Sequence, residues 1–171
     1  MLRITSLQNP HVKQALRLRD RRARQKQGRI LIDGARELQR ALEAGVNVLE
    51  AFVCHALCRS EEACRVANAL QACAARCFEV SAPVFARLAF GQRAEVEGIE
   101  KPGNLGAVLR SADGAGLSAV LAADPRTDLF NPNTIRASLG TVFTMPVAAA
   151  SAQEILAFLA RYGLAVYAAR V

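Results

Sequence analysis

Short apolar runs alternate with helical stretches along this chain, and that alternation limits the available folds more than any other feature. The runs "RILIDG" (29–34), "VLEAFVC" (48–54), "CFEVS" (77–81), "LSAVLAAD" (117–124), "VFTMPVAAA" (142–150) and "LAVYAARV" (164–171) read as strands. Between them lie helical segments with clear start and stop signals. "SLQNPHVKQALRLRDRRARQKQG" is expected to form one helix entered at Asn9-Pro10 and ended by Gly28. "ARELQRALEAG" turns Leu38, Ala41 and Leu42 inward and stops at Gly45. "SEEACRVANALQACAARC" opens on Ser60 with Glu61 and Glu62 in its first turn, and "APVFARLAF" forms a shorter helix. In the second half, a helix is expected over 104–115, capped by Asn104 and closed by Gly116. A one-to-two-turn helix follows in "NPNTIRASLG", and "SAQEILAFLARYG" carries the Ser151/Glu154 spacing of a capping box. Alternation of this kind predicts an α/β fold with parallel sheet. Ligand sites in such sheets lie beyond the carboxyl ends of the strands, which here are "EKPGN" and "DPRTDLFNPN". Two units are expected: a small α/β domain over 1–93 and a second over 94–171.

Charge is distributed unevenly. The net charge is +7, yet residues 1–40 hold eleven Lys and Arg against only Asp20, Asp33 and Glu37. The whole positive excess therefore sits on the first quarter of the chain. Such crowding draws phosphate backbones and favours nucleic acid over a merely solvated helix. Arg19, Arg21, Arg22, Arg24 and Lys26 are the candidate contacts. Hydrophobic residues make up 52% of the chain, enough for a substantial core. No run of about 18 uncharged apolar residues occurs, so no membrane partner is expected. The N-terminal stretch lacks the apolar segment of a signal peptide, and five cysteines read as reduced thiols, which together suggest a cytoplasmic setting.

Two arginine-bearing segments carry the functional signal. In "IEKPGNLGAVLRSADGAG" (99–116), Gly103 permits backbone to approach a ligand, and Asn104 as N-cap would leave amide hydrogens open to an anion. Arg110 points off the face made by Leu105, Val108, Leu109 and Ala112, so burial does not explain it. "NPNTIRASLGTVF" (131–143) repeats the arrangement, with Arg136 flanked by Asn133 and Ser138. Taken alone, these patterns fit an anion site and ordinary capped helices about equally.

These residues, in this order, resemble the SpoU (TrmH-type) branch of the SPOUT RNA methyltransferases. The family's first motif, Asn-x-Gly-x-x-x-Arg followed by a glycine, matches Asn104, Gly106, Arg110 and Gly116; "NPNTIRASLG" with Phe143 matches its second block. "ITSLQNPHVKQALRLRDRRAR", "ILIDGARELQRAL" and "FARLAFGQR" resemble the family's N-terminal substrate-binding domain, which is similar to a small ribosomal protein. The resemblance implies an α/β-knot catalytic domain, S-adenosylmethionine as methyl donor, a ribose 2′-hydroxyl in RNA as acceptor, ribosomal RNA ahead of transfer RNA, and a homodimer. It implies Arg110 and Asn104 as catalytic residues, with Arg136, Ser138 and Asn133 toward RNA. Arginine, with a pKa above about 12, is a poor free base. The role that fits Arg110 is gripping the adjacent phosphate and steadying developing charge on the sugar oxygen. The alternative is a non-catalytic RNA-binding protein with a decayed or truncated methyltransferase half.

The sequence departs from the family pattern in two places. A Gly-x-Glu-x-x-Gly loop and a Ser-Leu-Asn segment are expected after Val171, so the knot-forming C-terminal part is expected to be missing, leaving Ala169 as the one candidate donor contact. The join "FGQRAEVEGIEKPGN" is abrupt, and residues are expected to be missing there, with the Cα atoms of Glu95 and Val96 farther apart than the roughly 3.8 Å of a trans peptide. Other candidates are weaker. Cys54/Cys58 and Cys73/Cys77 lack the spacing of a zinc site, so no metal is expected. His11 reads as a solvated side chain more readily than an RNA contact. Asp113, Asp124 and Asp128 do not form a paired acid/base site. Phe143 reads as core, and Phe130 could stack a base.

Overall fold

The structure is a computed structural model, and it describes residues 1–89 and 102–167. The join at Glu95 and Val96 lies outside the described residues, as does Ala169. The first unit contains β1 (Leu2–Ile4), α1 (Pro10–Arg17), α2 (Arg21–Gln27), α3 (Ala35–Glu43), β2 (Glu50–Val53), α4 (Glu61–Cys73), β3 (Arg76–Val80) and α5 (Ala82–Leu88). Its three strands lie in the order β1-β3-β2, and both pairings are parallel. Ile4, Val12, Phe78, Val80, Val84 and Leu88 form its main core. The second unit contains α6 (Pro102–Gly114), β4 (Val120–Ala123), α7 (Pro132–Ala137), α8 (Thr141–Thr144), β5 (Val147–Ala150) and α9 (Ala152–Arg161). β4 and β5 pair in parallel, and Leu109, Ala112, Ile135, Val142 and Met145 make its core. The α/β class with parallel pairing is as expected.

Several local expectations are corrected. The basic N-terminal stretch is two helices, not one. Asp20 caps the second by accepting from Ala23 N at 3.1 Å, and a side chain that caps a helix start breaks the helix before it. "RILIDG" is not a strand. It runs from Gly28, at φ +59°, to α3 without pairing to β2. A cavity of about 690 Å³ lies among Leu31, Ile32, Val48, Phe52, Leu70 and Leu88 of the described residues. Ile30 and Ile32 pack against the core of Leu109, Ile135 and Val142, so the apolar character of the run goes into packing rather than a ladder. β1, only three residues long, is too short for its sequence pattern to announce it. "VFTMPVAAA" is half helix: Thr141–Thr144 coil as α8 and the strand begins at Val147. Residues 164–167 have no regular structure, so no last strand starts there. The capping box forms as expected, with Ser151 Oγ accepting from Glu154 N and Glu154 accepting from Ser151 N.

α6 spans Pro102–Gly114, which places Asn104 inside the helix and not at its cap. The helix ends at Gly114 and is closed by Gly116, whose φ of +69° lets Leu117 N donate back to Ala112 O at 3.0 Å. The tightest contact in the second unit is between α6 and α7. A Cβ at Gly106 would lie 2.6 Å from both Thr134 O and Ala137 Cβ, and 2.8 Å from Ser138 N. Those are distances inside van der Waals contact, against backbone that cannot step aside. Gly103 has nothing within 4 Å of an added Cβ, so the close approach belongs to Gly106 and not to Gly103. Gly106→Ala is expected to destabilise the protein by about 1–3 kcal/mol through overpacking, while Gly103→Ala leaves stability within about 0.5 kcal/mol. Urea unfolding of both variants measures the difference.

Candidate functional site

The two motif helices form one packed pair, and each candidate side chain has a definite place on it. Arg110 lies one turn beyond Gly106, is exposed, and makes no ion pair with the described residues. Asn104 is half-buried. Helix geometry separates it from Arg110 by about 9 Å along the axis and about 120° around it. That is too far for Asn104 to fix Arg110 directly. In α7, Asn131 caps the helix by accepting from Asn133 N at 2.9 Å, Pro132 follows at the first position, and Asn133 is exposed. Thr134, Ala137 and Ser138 face α6, and the 100° spacing turns Arg136 to the other side of the helix. The structure thus joins the helices but spreads Asn104, Arg110 and Arg136 around the pair.

Arg136 meets the first unit. Its Nη1 lies 3.1 Å from Asp33 Oδ2, and the two side chains are 42% and 17% exposed. Beside them, α3 packs on the turn after α7. Gly140, at φ +80°, leaves room for Glu37 and Arg40, whose Cα and Cβ would stand 3.1 and 3.2 Å from a Cβ there. Glu37 is buried, and burial pushes its carboxyl above the ordinary carboxylate range, opposed in part by its own backbone hydrogen bond. Arg40 approaches Asp113 of α6 at 3.6 Å, and Arg24 of α2 is hydrogen-bonded to Asp128 in the loop before α7. Among the described residues, three ion pairs therefore cross the seam between the units.

Several expected RNA contacts are corrected by burial. Arg24 is 5% exposed. It donates to the carbonyls of Leu18 and Arg19 as well as to Asp128, so its guanidinium is engaged inside the fold. Ser138 is fully buried and donates to Ile135 O at 2.8 Å, which makes it a support of the α7 turn. Arg19 donates to the carbonyls of Arg87, Leu88 and Ala89 at the end of α5. Arg21, Arg22 and Lys26 lie exposed on α2, away from these internal bonds. Outside these, His11 is held by Glu50 at 2.9 Å and meets the Phe78 ring in a tilted contact. Phe143 packs against the core and Phe130 lies over it, 42% exposed. Asp124 accepts from Ala152 N at 3.2 Å, so the three aspartates have separate structural duties. All five cysteines are free thiols, and no cluster of three metal-ligating side chains occurs among the described residues. No described helix is long and apolar enough to cross a membrane.

Comparison with known proteins now bears on this arrangement. Residues 9–96 match the MRM3-like substrate binding domain, and residues 93–171 match the SpoU rRNA Methylase family. A crystal structure of an RNA 2′-O ribose methyltransferase superimposes with a TM-score of 0.79 at 37% identity, covering 95% of this chain and 70% of that one. The chain belongs to the SpoU family. A 23S rRNA (guanosine(2553)-2′-O)-methyltransferase of Bacillus subtilis is 27% identical over 98% of this chain and 73% of its own length. The AdoMet-bound rRNA methyltransferase of Sinorhizobium meliloti shares the fold, with a TM-score of 0.72 at 23% identity over 92% of this chain and 68% of that one.

Asp33, Glu37 and Asp128 escape sequence reasoning. The available signal is an acid at the end of an apolar run, "ILID", where a buried strand would not tolerate a lone charge. Breaking the Arg24 pair by Asp128→Ala is expected to cost about 3 kcal/mol, because it leaves a buried guanidinium uncompensated. Arg21→Ala on the exposed face of the same helix stays within about 0.5 kcal/mol. Thermal and urea unfolding read both.

Proposed function

We propose that this SpoU-family protein transfers the methyl group of S-adenosylmethionine to a ribose 2′-hydroxyl of ribosomal RNA. Residues 1–93 dock the RNA and residues 94–171 belong to the catalytic domain. The observation that carries this reading is Arg110: a guanidinium on the first motif helix that stays exposed and makes no ion pair among the described residues, while its neighbours Leu109 and Ala112 are buried. An arginine left open in this way can grip a phosphate in two-pronged fashion. It then holds the neighbouring ribose so that its hydroxyl faces the donor, and it stabilises negative charge as that oxygen loses its proton. Asn133, at the exposed start of α7, and Arg136 contact the RNA backbone; Asn104 reaches the ribose from the first turn of α6. Arg21, Arg22 and Lys26 extend the same track along α2.

The donor supplies a methyl group on a positively charged sulfur. Among the described residues, Leu164, Val166 and Tyr167, which follow α9, are all exposed. These residues by themselves do not enclose a donor. The protein acts in the cytoplasm as a homodimer, and the exposed apolar side chains of this region support such an association.

Arg110→Ala is expected to abolish methyl transfer to unmodified 23S rRNA while changing RNA affinity little, as tritium incorporation and filter binding would show. Full turnover by that variant would remove Arg110 from the mechanism. Reversing the charges of Arg21, Arg22 and Lys26 should weaken RNA binding. It should also reduce the slope of log K against log salt by about one for each phosphate no longer neutralised.

A further inference from the structure

We propose that Arg40 of the substrate-binding unit is a positioning residue for methyl transfer: it draws Asp113 across the seam and so prevents that carboxylate from closing on Arg110. The proposal rests on the reading of Arg110 as the guanidinium that grips phosphate beside the reacting ribose.

The inference starts from a conflict inside α6. Arg110 and Asp113 both lie on that helix, and both are exposed. Helix geometry makes residues at this spacing neighbours, about 4.5 Å apart along the axis and about 60° around it. Opposite charges so placed attract each other. A helical side chain also leans toward the N-terminal turn, which carries Asp113 toward Arg110. A guanidinium engaged in this way has fewer donors left for a phosphate. In the structure that pair does not form. Arg110 makes no ion pair among the described residues, and Asp113 Oδ2 lies 3.6 Å from Arg40 Nη1 instead.

Three features hold Asp113 to Arg40. First, Arg40 Nη1 is buried and has no hydrogen-bond partner. Asp113 is the carboxylate that answers its charge among the described residues. A buried cation left without a counter-charge is strongly unfavourable. Second, the stem of Arg40 is fixed in place. A Cβ at Gly140 would stand 3.2 Å from Arg40 Cβ and 3.3 Å from Arg40 Cδ. The stem therefore lies along the turn between α7 and α8, which sets the direction in which the guanidinium leaves α3. Third, Asp113 is poorly served by its own helix. It lies in the last turn of α6, where the helix dipole disfavours negative charge, and that turn holds no basic residue. The cation that offsets this comes from the first unit.

Without Arg40, the Asp113 carboxylate stands uncompensated beside Arg110. It occupies donors of the guanidinium and repels the phosphate that Arg110 is to grip. Both effects weaken the hold on the sugar and the stabilisation of charge as the 2′-oxygen loses its proton. The first unit thus contributes to the transfer step through a residue that need not touch RNA or donor.

The test is a mutant cycle in the full chain with three readouts. They are methyl transfer to unmodified 23S rRNA, filter binding of that RNA, and labelling by phenylglyoxal, which reacts with unengaged guanidinium groups. Arg40→Met keeps the stem and removes the charge. It should lower kcat about fivefold, the scale of one neighbouring charge at a partly solvated site, and change the Kd for RNA little. Labelling of Arg110, followed by mass spectrometry, should slow by a similar factor. Asp113→Asn should leave kcat and labelling unchanged, although it breaks the same contact across the seam. Arg40→Met/Asp113→Asn should return both to the wild-type rate, because no carboxylate then competes for Arg110. Slowing of transfer by Asp113→Asn as great as that by Arg40→Met would overturn the proposal, since loss of docking would then be responsible. So would a double variant that stays slow, or Arg110 labelling that Arg40→Met leaves unchanged. A wild-type chain that binds this RNA without methylating it would count against the enzymatic reading. The labelling cycle would still decide whether Arg40 keeps Asp113 from Arg110.

Discussion

The approach of α6 to α7 at Gly106 is the contact on which the second unit is built. Any side chain there meets backbone atoms of Thr134 and Ser138 at distances no real Cβ tolerates. With the two backbones this close, Leu109 and Ile135 are sealed into the core, and α8 follows on directly through the left-handed residues Leu139 and Gly140. The polar residues of both motifs are then forced outward around the rim of the pair. Arg110 emerges on one flank and Arg136 on another. The functional groups are thus set by a steric condition at a residue that carries no functional group.

A second condition concerns charge. The first forty residues look like a uniform basic patch, but the structure divides them into two classes. Arg24 and Arg19 are consumed internally, satisfying carbonyl groups and Asp128. Arg40 and Asp33 reach across the seam with opposite signs. Exposed ion pairs contribute little to stability individually, with typical values of about 0–1 kcal/mol. Their value here is geometric: alternating signs across the seam allow only one register of the two units. What remains for solvent is the outer side of α2, a narrower basic stripe than the sequence count suggests.

The sequence makes some of this legible and conceals the rest for identifiable reasons. Helices with strong punctuation are readable: the Ser60 cap with two acids, the Ser151/Glu154 box, and Gly116 as a stop all occur where their chemistry places them. Strands β2 to β5 are readable from apolar content. The run "RILID" mimics a strand because apolar character reports burial and not pairing; whether a partner edge is in reach is a tertiary fact. The first helix reads as longer than it is because Asp20 serves equally well as a surface residue or as a cap, and only the chain's turn at Leu18–Asp20 decides. At the site, family resemblance identifies the motif arginines, and α6 and α7 do pack together. Burial of Arg24 and Ser138, and the pairing of Asp33 with Arg136, depend on contacts between residues more than a hundred positions apart or on the inner face of a one-turn bend. Linear spacing does not encode those.

Among the described residues, both sheets are built without a single hairpin, and this shapes how the molecule must assemble. Leu2 pairs with Phe78 and Ile4 with Val80. During synthesis β1 therefore has no ladder to join until β3 has been made, with helices α1 to α4 already complete in between. Helices can form locally and early, whereas a parallel pairing must close a long loop first. β3 is the central strand, so β1 and β2 both wait for it, and the β1 pairing closes the longer of the two loops around the Val12 and Phe78 core.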